Sequence, residues 1–170
     1  MEFRRSAPAD IPAMMGIVRD AVQFLHDSGV NQWQDGYPNE EVLKSDIAAE
    51  KSYVLTDGGK VVGMVALSFL PDHCYDDITG AWLNDEPYAV IHRSAVSSSV
   101  RGRGCGRLLY EECEKLASAN GYKNIRVDTH RDNLVMNSML TKYGYKMCGT
   151  IFVDTAEFDA IRNAYQKILD

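Results

Sequence analysis

The segment Arg101-Gly102-Arg103-Gly104-Cys105-Gly106-Arg107, the Arg/Gly loop, has the residue types that bind a phosphorylated ligand. Glycine lets the backbone adopt positive φ angles and approach a ligand closely. The N–H groups at the start of a helix point outward and attract anions, and the helix dipole adds to that attraction. Arginine side chains supply further fork-shaped donors. The loop therefore predicts a phosphate or pyrophosphate site.

Several phosphorylated ligands are compatible with a glycine-rich turn. A Walker A loop requires Gly-Lys-Ser/Thr at the start of the helix, which this segment lacks. A dinucleotide turn requires GxGxxG, whereas the glycines here follow GxGxG. Asp128 at the end of the next predicted strand nevertheless keeps an NAD(P)-binding oxidoreductase open as an alternative. Four residues separate Val96 from Arg101, and the arginine density favours a more heavily phosphorylated ligand.

Apolar periodicity and turn residues predict the elements that position this loop. Their order is strand, helix, helix, three strands, helix, strand, helix and two strands, which indicates one α/β domain over residues 1–170. Asp10 is expected to cap the first helix, and residues 71–86 to be irregular. Residues 87–96 form the strand that leads to the loop, and alternation places one set of side chains on a common face: Tyr88, Val90, His92 and Ser94.

A family resemblance rests on two blocks of residues. Val96 followed by Arg101-Gly102-Arg103-Gly104-Cys105-Gly106 resembles the Arg/Gln-x-x-Gly-x-Gly/Ala signature of the GNAT N-acetyltransferases. Asp132-Asn133, with Met136, Leu140 and Gly144-Tyr145, is similar to the second block of that family. The resemblance implies an α/β (α+β) fold with a mixed, mostly antiparallel central sheet flanked by about four helices. It also implies acetyl transfer from acetyl-CoA to a primary amine of a small molecule or peptide, by direct attack in a ternary complex.

The resemblance also assigns residues to the co-substrate, acetyl-CoA. The backbone of Val96 is expected to contact the pantetheine arm, and the Arg/Gly loop to hold the pyrophosphate. Asn133 resembles a family asparagine that contacts the cofactor, and it suits a helix N-cap equally well. The full set of expected cofactor-binding residues is Ala95, Val96, Ser97, Arg101, Gly102, Arg103, Gly104, Cys105, Gly106, Arg107 and Asn133.

Acyl transfer to an amine requires a base, because an alkylammonium group has a pKa near 10. His92 is the favoured base, since imidazole titrates near neutrality and arylalkylamine N-acetyltransferases resemble this sequence in having histidine at this position. His130, after the next strand, is the rival. The family's usual acid, a tyrosine four residues before the glycine that ends the helix, is replaced by Leu140. Tyr143 points elsewhere by helical geometry.

The expected acceptor site lies in the aromatic segment between the first two helices, where Trp33 and Tyr37 can form a wall. The acidic stretch Asp72, Asp76, Asp77, Asp85 and Glu86 offers attraction for a cationic amine, although a solvated loop is the more common role of such residues. A GNAT-like module that binds CoA without turnover remains a further alternative, because the usual tyrosine is missing.

Composition limits the other partners. The net charge of −6 argues against a nucleic-acid partner. The sequence contains no apolar run of about 18 residues, so no membrane span is expected. The N-terminal residues lack the apolar core of a signal peptide, so a cytoplasmic location is expected. The four cysteines lack metal-binding or disulfide spacing, so we expect reduced thiols and no metal. The C-terminal strands offer a possible homodimer contact.

Overall fold

The computed structural model describes residues 1–156 and 159–169. The helices are α1 (Ile11–Asp27), α2 (Glu40–Ala48), α3 (Cys105–Ala119) and α4 (Leu134–Lys142). The strands are β1 (Glu2–Arg5), β2 (Ser52–Asp57), β3 (Lys60–Ser68), β4 (Thr79–Gly80), β5 (Ala89–Val96), β6 (Asn124–His130), β7 (Lys146–Phe152) and β8 (Ile161–Ile168).

The strands form one sheet in the order β1-β2-β3-β5-β6-β8-β7-β4. Only the β5–β6 pair is parallel within the described chain, and the other neighbouring pairs are antiparallel. A parallel pair needs a long crossover, and here the Arg/Gly loop and α3 supply it. The expected mixed, mostly antiparallel sheet with four helices is therefore confirmed.

The helices cover both faces of the sheet. On the first face, α1 and α2 pack through Met14, Ile17 and Leu43 against Val54 and Met64. On the second face, α3 and α4 contribute to a larger cluster, whose main members are Leu55, Val65, Ile91, Leu109, Tyr110, Val127, Leu140 and Tyr145. We call these the α1 face and the α3 face. Each face buries one set of alternating strand residues, which decides where every side chain of β5 and β6 points.

Two local expectations differ from the structure. Asp10 is the N-cap residue of α1, as expected, but its side chain makes no capping bond to that helix. Its carboxylate instead accepts two hydrogen bonds from Arg4, at 2.8 and 2.9 Å, and one from the N–H of Ala7. The stretch at 71–86 is not wholly irregular, because β4 lies within it and pairs with β7. A two-residue strand is too short for its alternation to be recognised in the sequence.

The pairing of β4 with β7 depends on two facing glycines, Gly80 and Gly149. A Cβ built on Gly149 would lie 2.2 Å from the carbonyl oxygen of Thr79. We expect Gly149→Ala to lower the free energy of unfolding by about 1–3 kcal/mol, measured by urea denaturation, because the two backbones must separate. Gly16→Ala in α1 is the control, since a Cβ there meets only the end of Arg19, at 3.8 Å. That control should be about 0.5–1 kcal/mol more stable, and an equally tolerated Gly149→Ala would contradict the close approach.

Candidate active site

A cavity of about 910 Å³ opens where β5 and β6 separate. The two strands pair from Ala89 to Ile91 and from Ile125 to Val127, but β5 continues to Val96 and β6 to His130. Residues from both diverging ends line the cavity, together with part of the Arg/Gly loop and the segment before α2. The sheet itself therefore places the expected anion site and the expected base in one cavity.

A bulge in β5 changes which side chains share a face. His92 pairs with Ala66 and Ala95 with Met64, so three steps along β5 match two along β3. The extra residue lies at Arg93, whose φ is 51°. His92 and Ala95 therefore point to the α1 face, and Ser94 points to the α3 face, where it bonds to a helix side chain. The expectation that His92 shares a face with Ser94 is wrong, because uniform alternation cannot anticipate a bulge.

The Arg/Gly loop has the geometry that a phosphate ligand needs. Gly102 and Gly104 both have φ of 77°, in the left-handed region that glycine adopts most easily. Gly104 is the N-cap of α3, which begins at Cys105. The first N–H groups of an α-helix have no acceptor within the helix, so those of residues 105–107 are donors for an anion. Gly102, Gly104, Cys105 and Gly106 line the cavity, and this donor set fits a pyrophosphate.

The three arginines of the loop are held differently. The Arg101 guanidinium lies 4.5 Å from the ring centroid of Phe24 in α1, and Arg107 pairs with Glu111 one turn along α3. Both arginines line the cavity. Arg103 instead reaches Asp57 at the end of β2, with 3.3 Å between Nη2 and Oδ2. The Arg103 and Ser97 side chains lie outside the cavity lining.

Asn133 takes the helix-capping role expected of it. Its Oδ1 accepts a hydrogen bond from the N–H of Met136, and its Nδ2 donates to Oε1 of Gln32. Asn133 thereby joins α4 to the segment before α2, and it lines the cavity. Trp33 and Tyr37 line the same cavity, so the structure brings the expected acceptor residues to the expected cofactor site.

His92 forms a pair with Asp72, which sequence reasoning did not select as a partner. The His92 Nε2 lies 3.0 Å from Oδ2 of Asp72, and the His92 side chain is 23% exposed. The bond to His92, aided by the N–H of Cys74, lowers the pKa of Asp72 to about 2. An ionised carboxylate can only accept, so Nε2 has the hydrogen and the neutral ring keeps its lone pair on Nδ1.

His130, the rival base, is in a different environment. Its side chain is 1% exposed, and Nδ1 accepts a hydrogen bond from the N–H of Asp132. Burial lowers the pKa of His130, which favours the neutral ring. His130 does not belong to the cavity lining, whereas His92 does. The geometry therefore favours His92 as the base.

The position of the usual family acid contains no proton donor. Leu140 is fully buried in the cluster on the α3 face. Tyr143 was expected to point elsewhere but lines the cavity, and the Arg107 guanidinium lies 5.8 Å from its ring centroid. The side chains that can interact with a leaving group must therefore be sought elsewhere in the cavity.

Some functional candidates have no sequence signal of their own. Of the acidic residues between 72 and 86, only Asp72 lines the cavity. The Tyr75 hydroxyl donates to Oδ1 of Asp128 at 2.7 Å, which occupies the carboxylate that had suggested a dinucleotide.

Asp72, His73 and Cys74 each place one ligand atom within 4.8 Å of the others, but Asp72 and His73 are bonded to His92 and Asp154. These contacts join segments far apart in the chain.

Comparison with known proteins decides the family. The family model described as the acetyltransferase (GNAT) family matches residues 18–145. This chain belongs to the GNAT acetyltransferase family. The match contains the Arg/Gly loop, His92 and Asn133, and the resemblance seen in the sequence is confirmed. The oxidoreductase alternative has no support from this match.

Solved GNAT structures have the same fold. A GNAT-family acetyltransferase from Streptococcus agalactiae is 31% identical, with a TM-score of 0.89 over 99% of this chain and 95% of that chain. The paia N-acetyltransferase of Thermoplasma acidophilum, solved with coenzyme A, is 18% identical, with a TM-score of 0.74 over 98% of each chain. The yncA protein of Salmonella typhimurium, solved with acetyl-CoA, is 17% identical, with a TM-score of 0.72 over 100% of this chain and 94% of that chain. A search among curated proteins finds no match. Among the described residues, no helix is long and apolar enough to cross a membrane.

Proposed function

We propose that this GNAT protein is an N-acetyltransferase that transfers the acetyl group of acetyl-CoA to a primary amine of a small molecule or peptide. One observation carries the proposal: an anion-binding helix start and a histidine–carboxylate pair line the same cavity. The two structural neighbours solved with CoA or acetyl-CoA support the choice of co-substrate.

The proposed reaction is a direct attack in a ternary complex. The Arg/Gly loop holds the pyrophosphate, and the pantetheine arm runs beside β5 towards the bulge. The neutral amine attacks the thioester carbonyl, so the C–N bond forms and the C–S bond breaks with its electron pair on sulfur. Nδ1 of His92 accepts the amine proton, and Asp72 stabilises the resulting imidazolium through Nε2. No enzyme nucleophile is required.

The acceptor is held on the α1 face of the gap, where His92, Asp72, Trp33 and Tyr37 lie. Aromatic rings provide an apolar wall for the carbon chain of an amine. The Asp72 carboxylate attracts the ammonium form and, through His92, favours its deprotonation. A peptide or a small amine meets the same groups, so the proposal names the reacting group and leaves the rest of the acceptor open.

A thermal shift comparison tests the co-substrate. Acetyl-CoA, CoA, NADH and ATP are tested in parallel against the unliganded protein. At about 100 times Kd a ligand adds about 2.7 kcal/mol of stability, which raises Tm by several degrees in a chain of this size. We expect stabilisation by acetyl-CoA and CoA. Stabilisation by NADH without an effect of CoA would refute the proposal, and the first result justifies an amine screen with thiol detection.

A further inference from the structure

A group of hydroxyls lies on the α3 face of the gap, opposite His92. The Ser94 Oγ lies 3.1 Å from the Tyr110 hydroxyl. Tyr110 is 1% exposed, and both residues line the cavity. The bulge at Arg93 directs Ser94 to this face, so β5 presents a histidine on one side and a hydroxyl on the other. The two groups are therefore available to opposite sides of a reacting thioester.

Thr129 of β6 adds a third hydroxyl. It is two residues after Val127, which packs in the cluster on the α3 face, and β6 pairs with β8 without a register shift. Thr129 therefore faces the same side as Tyr110. Its side chain is 2% exposed and lines the cavity, yet its Oγ1 has no hydrogen-bond partner in the part of the chain that the structure describes. A buried hydroxyl without a partner costs about 1–3 kcal/mol, so a ligand atom is its natural partner.

The Ser94–Tyr110 pair also has one hydroxyl hydrogen that is not used in the bond between them. Two hydroxyls have two hydrogens, and one bond between them uses one. Burial raises the pKa of the Tyr110 hydroxyl, so it stays protonated at neutral pH. Whichever hydroxyl donates within the pair, the remaining hydrogen can point into the cavity.

Building on the proposed function, we propose that Ser94, Tyr110 and Thr129 form the donor set that stabilises the departing CoA thiolate. As the C–S bond breaks, the electron pair stays on sulfur and the amine proton goes to His92. The hydroxyls donate hydrogen bonds to the sulfur and keep their own protons, because a thiol is the stronger acid. The thiolate takes its proton from water when it leaves. The three hydroxyls thereby supply hydrogen bonds to the departing sulfur, which the apolar side chain of Leu140 cannot do.

The experiment measures the pKa of the bound CoA thiol and requires no knowledge of the acceptor. The ultraviolet absorbance of the thiolate is titrated against pH for CoA bound to the protein and to the Ser94→Ala, Tyr110→Phe and Thr129→Val variants. We expect each variant to raise the pKa of the bound thiol by about one unit, a tenfold loss of thiolate at a given pH. Thr129→Val should at the same time stabilise the unliganded protein, because an unpartnered buried hydroxyl is removed.

Tyr145→Phe is the matched control. Its ring packs 5.7 Å from that of Tyr110, its hydroxyl bonds to Glu114, and it does not line the cavity. It should leave the pKa of the bound thiol unchanged. If CoA binds but Ser94→Ala and Thr129→Val leave that pKa at the wild-type value, the donor set is overturned while the proposed function stands. Absence of CoA binding to the wild-type protein would overturn the proposed function itself.

Discussion

The His92→Ala variant is expected to lose about two to four orders of magnitude in kcat, while its Kd for CoA stays within about twofold of wild type. The His92 imidazole lines the cavity and is paired with Asp72, so its loss removes the proposed acceptor of the amine proton. The Arg/Gly loop, the proposed binding site of the co-substrate, is untouched. The measurement is thiol release with an amine from the screen, together with CoA binding by calorimetry.

The matched control is His26→Ala. His26 lies in the last turn of α1, and its side chain is 71% exposed and outside the cavity lining. Its kcat should equal that of wild type. Equal activity in His92→Ala would dismiss His92 as the base. A wild-type protein that binds CoA but turns over none of the tested amines would favour the non-catalytic module.

The pH profile tests the charge state of Asp72. Asp72 has its folded-state pKa lowered to about 2 from 3.8, so its ionised form is favoured by folding. That contribution to stability is present above about pH 4 and is lost as the pH falls towards 2. Asp72 therefore stays charged throughout the range in which acetyl transfer is measured. Asp72→Asn should therefore lower kcat without adding an acidic limb to the pH profile.

The second large effect concerns a buried ion pair beneath the proposed acceptor site. Arg93 donates to both carboxylate oxygens of Asp46 in α2, at 2.6 and 2.9 Å, and to the Tyr37 hydroxyl at 2.6 Å. The Asp46 side chain is 4% exposed and that of Arg93 is 11% exposed. We expect Asp46→Ala to lower the free energy of unfolding by about 3–5 kcal/mol, because it leaves a buried guanidinium without its carboxylate. Urea denaturation measures the loss.

Glu50→Ala is the control for removing an acid. Glu50 pairs with Arg5 at 2.9 Å, but the two side chains are 73% and 57% exposed, so the loss should be far smaller than that of Asp46→Ala because solvent screens the pair. Equally small losses for Asp46→Ala and Glu50→Ala would show that the buried Arg93–Asp46 pair does not stabilise the folded protein. The double variant Asp46→Leu/Arg93→Met should recover part of the loss, because no buried charge is then left unpaired.

The Arg93 pair also illustrates how the site depends on the fold. Arg93 has a positive φ in the bulge, and its side chain joins β5, α2 and the segment that holds Tyr37. Nothing local in the sequence marks it, because an arginine on a strand next to a histidine has no special pattern. Ser94 and Tyr110 are equally unmarked in the sequence. Ser94 is an ordinary position in β5, and Tyr110 is one of several buried positions in α3.

The amino-acid sequence alone determined the family and the order of the elements apart from β4, and it predicted the anion site. Those features come from local rules: glycines at positive φ, arginines at a helix start, and the periods of helices and strands. The Asp57-Gly58-Gly59 hairpin is a clear case, since Gly58 and Gly59 both have positive φ between β2 and β3. Such rules act within a few residues, and the sequence contains all the information they need.

Only the tertiary structure decided how the proposed catalytic groups combine. Asp72 reaches His92, and Tyr75 reaches Asp128, across long stretches of chain. Whether His92 faces the acceptor or the cofactor depends on one extra residue in β5, and that bulge becomes evident only from the pairing with β3. The cavity exists because β5 and β6 stop pairing after Ile91 and Val127. Contacts between distant segments and the register of a sheet are set by global packing, which local residue patterns do not encode.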